Sequence, residues 1–101
     1  MRALEGMSVL ITGGGSGIGE GAAKHFANKG ATVTITGRRE EPLKQVVKDI
    51  GGNVTYITGD VTNNEDRIAM VESAVENGKG LDVLISNAGN IYRCDVEDYD
   101  E

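Results

Sequence analysis

The sequence predicts an α/β fold in which a parallel sheet carries helices on both faces. Three observations lead there. Short apolar or β-branched runs alternate with stretches of helical apolar periodicity, in the order βαβαβαβ. The joints between them are short and carry turn residues, glycine above all. The first strand-to-helix joint, "TGGGSGIG" (12–19), is dense in glycine, a poor helix former and a weak strand residue.

Each element has its own signal. "MSVLIT" (7–12) is nearly continuous in apolar residues, as befits a strand buried on both faces. "GIGEGAAKHFANKG" (17–30) repeats apolar positions at Ile18, Ala22 and Phe26. Ala23 and Ala27 widen that face, Gly21 is one more small residue near it, and Gly30 closes the helix. "ATVTITG" (31–37) is β-branched and reads as a second strand. "EEPLKQVVKDIGG" (40–52) sets Leu43, Val46, Val47 and Ile50 at i, i+3, i+4 and i+7, with Pro42 in the first turn and Gly51 past the end. "NVTYIT" (53–58) is a third strand. In "DVTNNEDRIAMVESAVENGKG" (60–80), Thr62 and Glu65 have capping-box spacing. Ile68, Val71 and Val75 form the apolar stripe of that helix, and Gly78 stops it. "LDVLISNAG" (81–89) holds a fourth strand. The remainder, 90–101, is polar and acidic without a periodic face, and reads as a loop or tail.

Composition bounds the function. The chain has 101 residues, 39% of them hydrophobic, enough for one small domain. A net charge of −6 argues against nucleic acid, whose binding depends on neutralising phosphate, and against an anionic membrane surface. The single Cys94 forms no internal disulfide, and no Cys/His cluster has metal-ligand spacing. The start of the chain has too short an apolar run for a signal peptide, so a cytoplasmic location is expected.

A strand, a glycine turn and a helix start make an anion site. Backbone N–H groups point outward there, and the helix dipole favours negative charge. A pyrophosphate reaches them only where side chains do not block it. In a dinucleotide fold Gly13 would leave the strand in a tight turn, Gly17 would face the phosphates, and Gly19 would let the helix lie on the sheet. A flexible glycine loop, or the glycine turn of a methyltransferase that binds a nucleoside cofactor, is the alternative at this point. A P-loop is excluded, because no Gly-Lys-Ser/Thr follows.

Three segments together narrow this. "TGGGSGIG" (12–19) resembles the TGxxxGIG signature of the short-chain dehydrogenase/reductase family. "GDVT" (59–62) resembles its Asp-Val motif after the third strand. "SNAG" (86–89) resembles its NNAG motif after the fourth, with Ser86 in place of the first Asn. The resemblance spans nearly the whole chain and implies a Rossmann-type sheet of order 3-2-1-4, with a dinucleotide-binding half-domain at 1–89 followed by the acidic segment at 90–101. It implies that Thr12, Gly13, Ser16, Gly17, Ile18 and Gly19 surround a pyrophosphate. Asp60 would then bind the adenine amino group with Val61 beside the ring, and Asn87, Ala88 and Gly89 would line the adenosine ribose.

The resemblance also implies a catalytic Ser and a Tyr-x-x-x-Lys pair, which this chain lacks. Tyr56 is followed four residues on by Asp60 and Tyr92 by Val96, and Tyr99 has no residue at that offset. The expectation is therefore a sheet truncated after about four strands, which keeps the cofactor-binding half of an oxidoreductase and is inactive alone. Two other readings stay open: a non-catalytic nucleotide-binding or regulatory module, and an interaction protein using the fold as scaffold. NADP(H) is expected over NAD(H), with NAD(H) possible, because the second strand ends in "TGRR", where Arg38 can pair with a 2′-phosphate. No metal site is expected. An uncovered fourth strand would be an association hazard, so a homo-oligomer joined through it is expected.

Overall fold

The computed structural model describes residues 5–13, 15 and 17–86, with the backbone of 90–93. Its elements are β1 (Ser8–Thr12), α1 (Gly17–Asn28), β2 (Thr32–Gly37), α2 (Glu40–Ile50), β3 (Val54–Thr58), α3 (Asn64–Gly78), β4 (Val83–Ser86) and β5 (Asn90–Arg93). The sheet order is β3-β2-β1-β4-β5. The first four strands are parallel and follow the predicted 3-2-1-4 order. Ile11 stands opposite Ile35 on one side and Ile85 on the other.

Strand pleat divides the core in two. Val9, Ile11, Val33 and Ile35 point to one face and pack with Ala23 of α1 and with Leu43 and Val46 of α2. Leu10 points to the opposite face, against Met70 and Ala74 of α3 and against Leu81. β1 is central and buried on both faces, hence its unbroken apolar run. Burying each large aliphatic side chain contributes about 1.5–3 kcal/mol, so β1 anchors the fold. In β2, Thr34 and Thr36 turn to the α3 side. Both are fully buried, and neither hydroxyl has a hydrogen-bond partner among the described residues.

The structure corrects several local expectations. Ile18 is 77% exposed, so the face of α1 that packs is Gly19, Ala22, Ala23, Phe26 and Ala27. Gly21 is exposed, with no neighbour near a Cβ position, and lies away from the packing surface. Ile68 is 44% exposed, because Met70 and Ala74, with Val71 and Val75, turn inward instead. The Thr62–Glu65 capping box does not form. Asn63 is the N-cap, and its Oδ1 accepts the Asp66 N–H at 2.9 Å. The hydrophobic phase of α3 is thus set by the sheet it lies on, and periodicity alone misplaces it.

The largest correction concerns the edge. β5 pairs antiparallel with β4, from Val83 opposite Arg93 to Ser86 opposite Asn90. The stretch read as the start of a polar tail is a strand here. Three residues separate the two strands, a connection short enough for antiparallel neighbours. The outer edge of β4 is therefore paired within the chain, and the expected oligomer through a free fourth strand loses its basis. Residues 94–101 lie outside the described residues.

Gly78 has a role beyond ending α3. Ser8 sits fully buried beneath it, and its hydroxyl donates to the Ala74 carbonyl at 3.1 Å. The Ser8 backbone N–H donates to Asp82 Oδ2 at 2.9 Å, and its carbonyl accepts from the Asp82 N–H at 2.9 Å. A Cβ on Gly78 would overlap the Ser8 side chain and lie 3.2 Å from its Cα. Gly78→Ala is therefore expected to destabilise the fold by about 1–3 kcal/mol through overpacking. The same change at exposed Gly21 is expected to stabilise by about 0.5–1 kcal/mol through helix propensity. Denaturant midpoints moving in opposite directions check both.

Candidate functional site

The carboxyl ends of the parallel strands converge, and a crevice opens there. The chain leaves β1 through Gly13, whose φ of 71° is readily adopted only by glycine. β2 ends at Gly37, whose carbonyl accepts the Gly59 N–H at 2.9 Å. That bond ties the end of β2 to the segment after β3. A cleft of about 350 Å³ results, lined by Thr12, Gly13, Gly37, Arg38, Asp60, Val61 and Thr62 among others. A second cleft of about 290 Å³ continues from it past Gly13, Gly37 and Arg38 to Gly15, Arg39 and Pro42. A Cβ at Gly15 would lie 2.9 Å from Pro42 Cβ, so the glycine lets the loop pass close to α2.

Of the residues expected to bind a cofactor, Thr12, Gly13, Arg38, Asp60 and Val61 line one cleft. Gly17, Ile18 and Gly19 open α1 and line neither of these two clefts. Gly17 is exposed, with nothing within 4 Å of a Cβ position, whereas Gly19 is buried. Ser16, Asn87, Ala88 and Gly89 lie outside the described residues. Sequence reasoning passed over Gly37, Gly59, Thr62 and Ser86 as cleft residues. Their signal was their place at the ends of strands two, three and four.

Asp60 is held in one conformation. Its Oδ1 accepts from the Thr62 hydroxyl at 2.7 Å and from the Thr62 N–H at 2.9 Å. These two bonds, the hydroxyl first, keep the Asp60 carboxyl below the usual aspartate range, and the Arg38 guanidinium adds a smaller effect in the same direction. The stabilisation belongs to the ionised form. It is fully present above the ordinary aspartate value and is lost as pH falls through the lowered one. Thr62→Val removes the larger cause and keeps the backbone donor. The Asp60 carboxyl is then expected to titrate at higher pH, closer to an ordinary aspartate, as read from its NMR shift.

Three polar features stand in or beside the crevice. The first turn of α1 presents backbone donors with open space at Gly17. Arg38 and Arg39 are both exposed cations, and only Arg38 lines both clefts. Asp60 supplies an ionised acceptor on the far side. Among the described residues, no group of three His, Cys, Asp or Glu is arranged to hold a metal, and no helix is long and apolar enough to cross a membrane.

Comparison with known proteins bears on the family of the chain. A family profile described as short chain dehydrogenase matches residues 7–101. An uncharacterized oxidoreductase of Thermotoga maritima is 43% identical over an alignment of 105 positions that takes in 96% of this chain and 41% of the relative. Secoisolariciresinol dehydrogenase of Forsythia intermedia is 47% identical over 89 residues, 87% of this chain and 32% of the relative. A crystal structure of a short chain dehydrogenase from Bacillus anthracis superposes with a TM-score of 0.80 at 39% identity, over 96% of this chain and 40% of that one. A 3-ketoacyl-(acyl-carrier-protein) reductase from Brucella melitensis, complexed with NADH, gives a TM-score of 0.77 at 40% identity, over 81% of this chain and 34% of that one. The chain thus spans about two fifths or less of the length of these proteins.

Proposed function

Because this chain belongs to the short-chain dehydrogenase family, we propose that it holds the adenosine and pyrophosphate half of a nicotinamide dinucleotide, as part of an oxidoreductase. The observation that carries this is the single cleft shared by Thr12, Gly13, Arg38, Asp60 and Val61. The pyrophosphate would meet the N-terminal turn of α1 across Gly17, beside Ser16, Ile18 and Gly19. The Asp60 carboxylate would accept from the adenine amino group. The Val61 N–H would donate to the neighbouring ring nitrogen. Asn87, Ala88 and Gly89 would line the ribose. NADP(H) is favoured over NAD(H), because a guanidinium at Arg38 suits a 2′-phosphate and no carboxylate stands at 38 or 39 to hold a 2′-hydroxyl. When bound, the nicotinamide ring supplies the hydride chemistry.

The residues present contain no Tyr-x-x-x-Lys pair to move the accompanying proton, so the 101-residue chain is proposed to bind without turnover. Calorimetry with ADP-ribose and NADPH, alongside a reduced-nicotinamide absorbance assay, tests both statements. Heat of binding with flat absorbance is expected. No heat and no thermal shift at millimolar ligand overturns the binding reading, and sustained turnover overturns the second.

A further inference from the structure

The segment that would read adenine, Asp60–Val61–Thr62, is exposed or half-exposed, yet it is fastened from outside the crevice. Asp66, on the first turn of α3, reaches back across its own N-cap, and its Oδ2 accepts the Asp60 N–H at 2.8 Å. The next residue fastens the other end. Arg67 Nη1 donates to the Val61 carbonyl at 2.6 Å, and its Nη2 donates to Asn64 Oδ1 at 2.9 Å. The Asn63 N–H closes the turn on the Asp60 carbonyl at 2.9 Å. Gly59 is pressed against the same helix: a Cβ there would lie 2.8 Å from Met70 Cε and 3.3 Å from Asp66 Cβ. Asp66 and Arg67 are absent from the cleft lining around Asp60.

We infer that Asp66 and Arg67 are positioning residues that pre-set the Asp60 carboxylate and the Val61 N–H for an adenine edge. The inference rests on the dinucleotide reading above. Its physical basis is the ordering cost of binding. A short exposed turn that must be ordered on binding weakens the complex, whereas a turn already fixed by charge-assisted bonds from a helix adds no such cost. Asp66 fixes the peptide before the acceptor and Arg67 fixes the peptide after the donor. Together they set the spacing between acceptor and donor, which is what distinguishes adenine from a base with a carbonyl in place of the amino group. That base would set a carbonyl against the Asp60 carboxylate and a ring N–H against the Val61 N–H.

The test is discrimination between ADP-ribose and inosine diphosphate ribose, measured by calorimetry on the whole chain. The wild-type protein is expected to prefer ADP-ribose by about tenfold or more, since a mismatched polar pair leaves groups unpaired. Arg67 is exposed, so Arg67→Met is expected to fold with little change in Tm while its preference falls to roughly twofold. Asp66→Asn keeps an acceptor oxygen and is expected to retain most of the preference that Asp66→Ala loses. If Arg67→Met and Asp66→Ala discriminate as well as the wild type, the positioning role is wrong while the adenine site stands. If the wild type itself binds both ligands equally or neither, the adenine reading falls, and the positioning role with it.

Discussion

Gly17→Asp is expected to abolish dinucleotide binding and leave the fold intact or slightly more stable. The two effects separate because they act through different charges. Gly17 opens α1, is exposed, and has nothing within 4 Å of a Cβ position, so a side chain fits the folded protein without a clash. A carboxylate in the first turn of a helix interacts favourably with the dipole, by about 0.3–1 kcal/mol, and aspartate has the higher helix propensity. The same carboxylate stands where a pyrophosphate would approach the α1 donors. One pair of like charges about 4 Å apart costs roughly 4 kcal/mol at an effective dielectric near 20. That is about a thousandfold in affinity. Calorimetry with NADPH and a thermal melt on the same sample measure the two outcomes. Undiminished binding by the folded variant means that the pyrophosphate lies elsewhere.

Arg38→Ala is expected to cut the proposed preference for NADP(H) over NAD(H) by about ten- to a hundredfold. A hydrogen bond to a charged group contributes about 1.5–3 kcal/mol, and only the 2′-phosphate ligand makes this one. Arg38 lies one residue past the end of β2 and lines both parts of the crevice, whereas Arg39 lines only the part toward α2. The affinity ratio is the decisive quantity, since Arg38 also lowers the Asp60 carboxyl slightly, and that influence is common to both cofactors. Arg39→Ala serves as the comparison and is expected to change the ratio much less. An unchanged ratio in Arg38→Ala assigns the 2′-position to some other group.

The arrangement of the site was legible from sequence because it is built from local signals. A strand that ends in glycine before a helix is a local signal of a tight turn with outward-facing backbone donors. In parallel strands joined by helices, every such end falls on one edge. Thr12, Gly13, Asp60 and Val61 follow from the family resemblance of the motifs at those ends, and Arg38 from its place after the second strand; all five line one cleft. Alternating strands and helices gave the parallel sheet, and the family resemblance gave its 3-2-1-4 order, which the first four strands follow.

What the sequence left open depends on residues far apart in the chain. Ile18 and Ile68 fit an apolar period, yet both are exposed, because the rotation of a helix is fixed by the sheet beneath it and not by its own composition. Gly78 reads as a helix stop, but its more consequential neighbour is Ser8, which only tertiary packing brings beneath it. Four residues that look like part of a polar tail become β5 because β4 offers unpaired backbone groups within reach of a short connection. Asp66 and Arg67 look like ordinary polar residues of an exposed first turn. Their grip on Asp60 and Val61 appears only when α3 is seated against the end of β3. Sequence by itself determined the alternation of elements and the residues that stand at the strand ends, since both are written in nearest-neighbour patterns. The tertiary structure decided which helix face is buried, which edge is paired and which side chains hold the loop still, since each of these is a contact between segments that the sequence alone does not bring together.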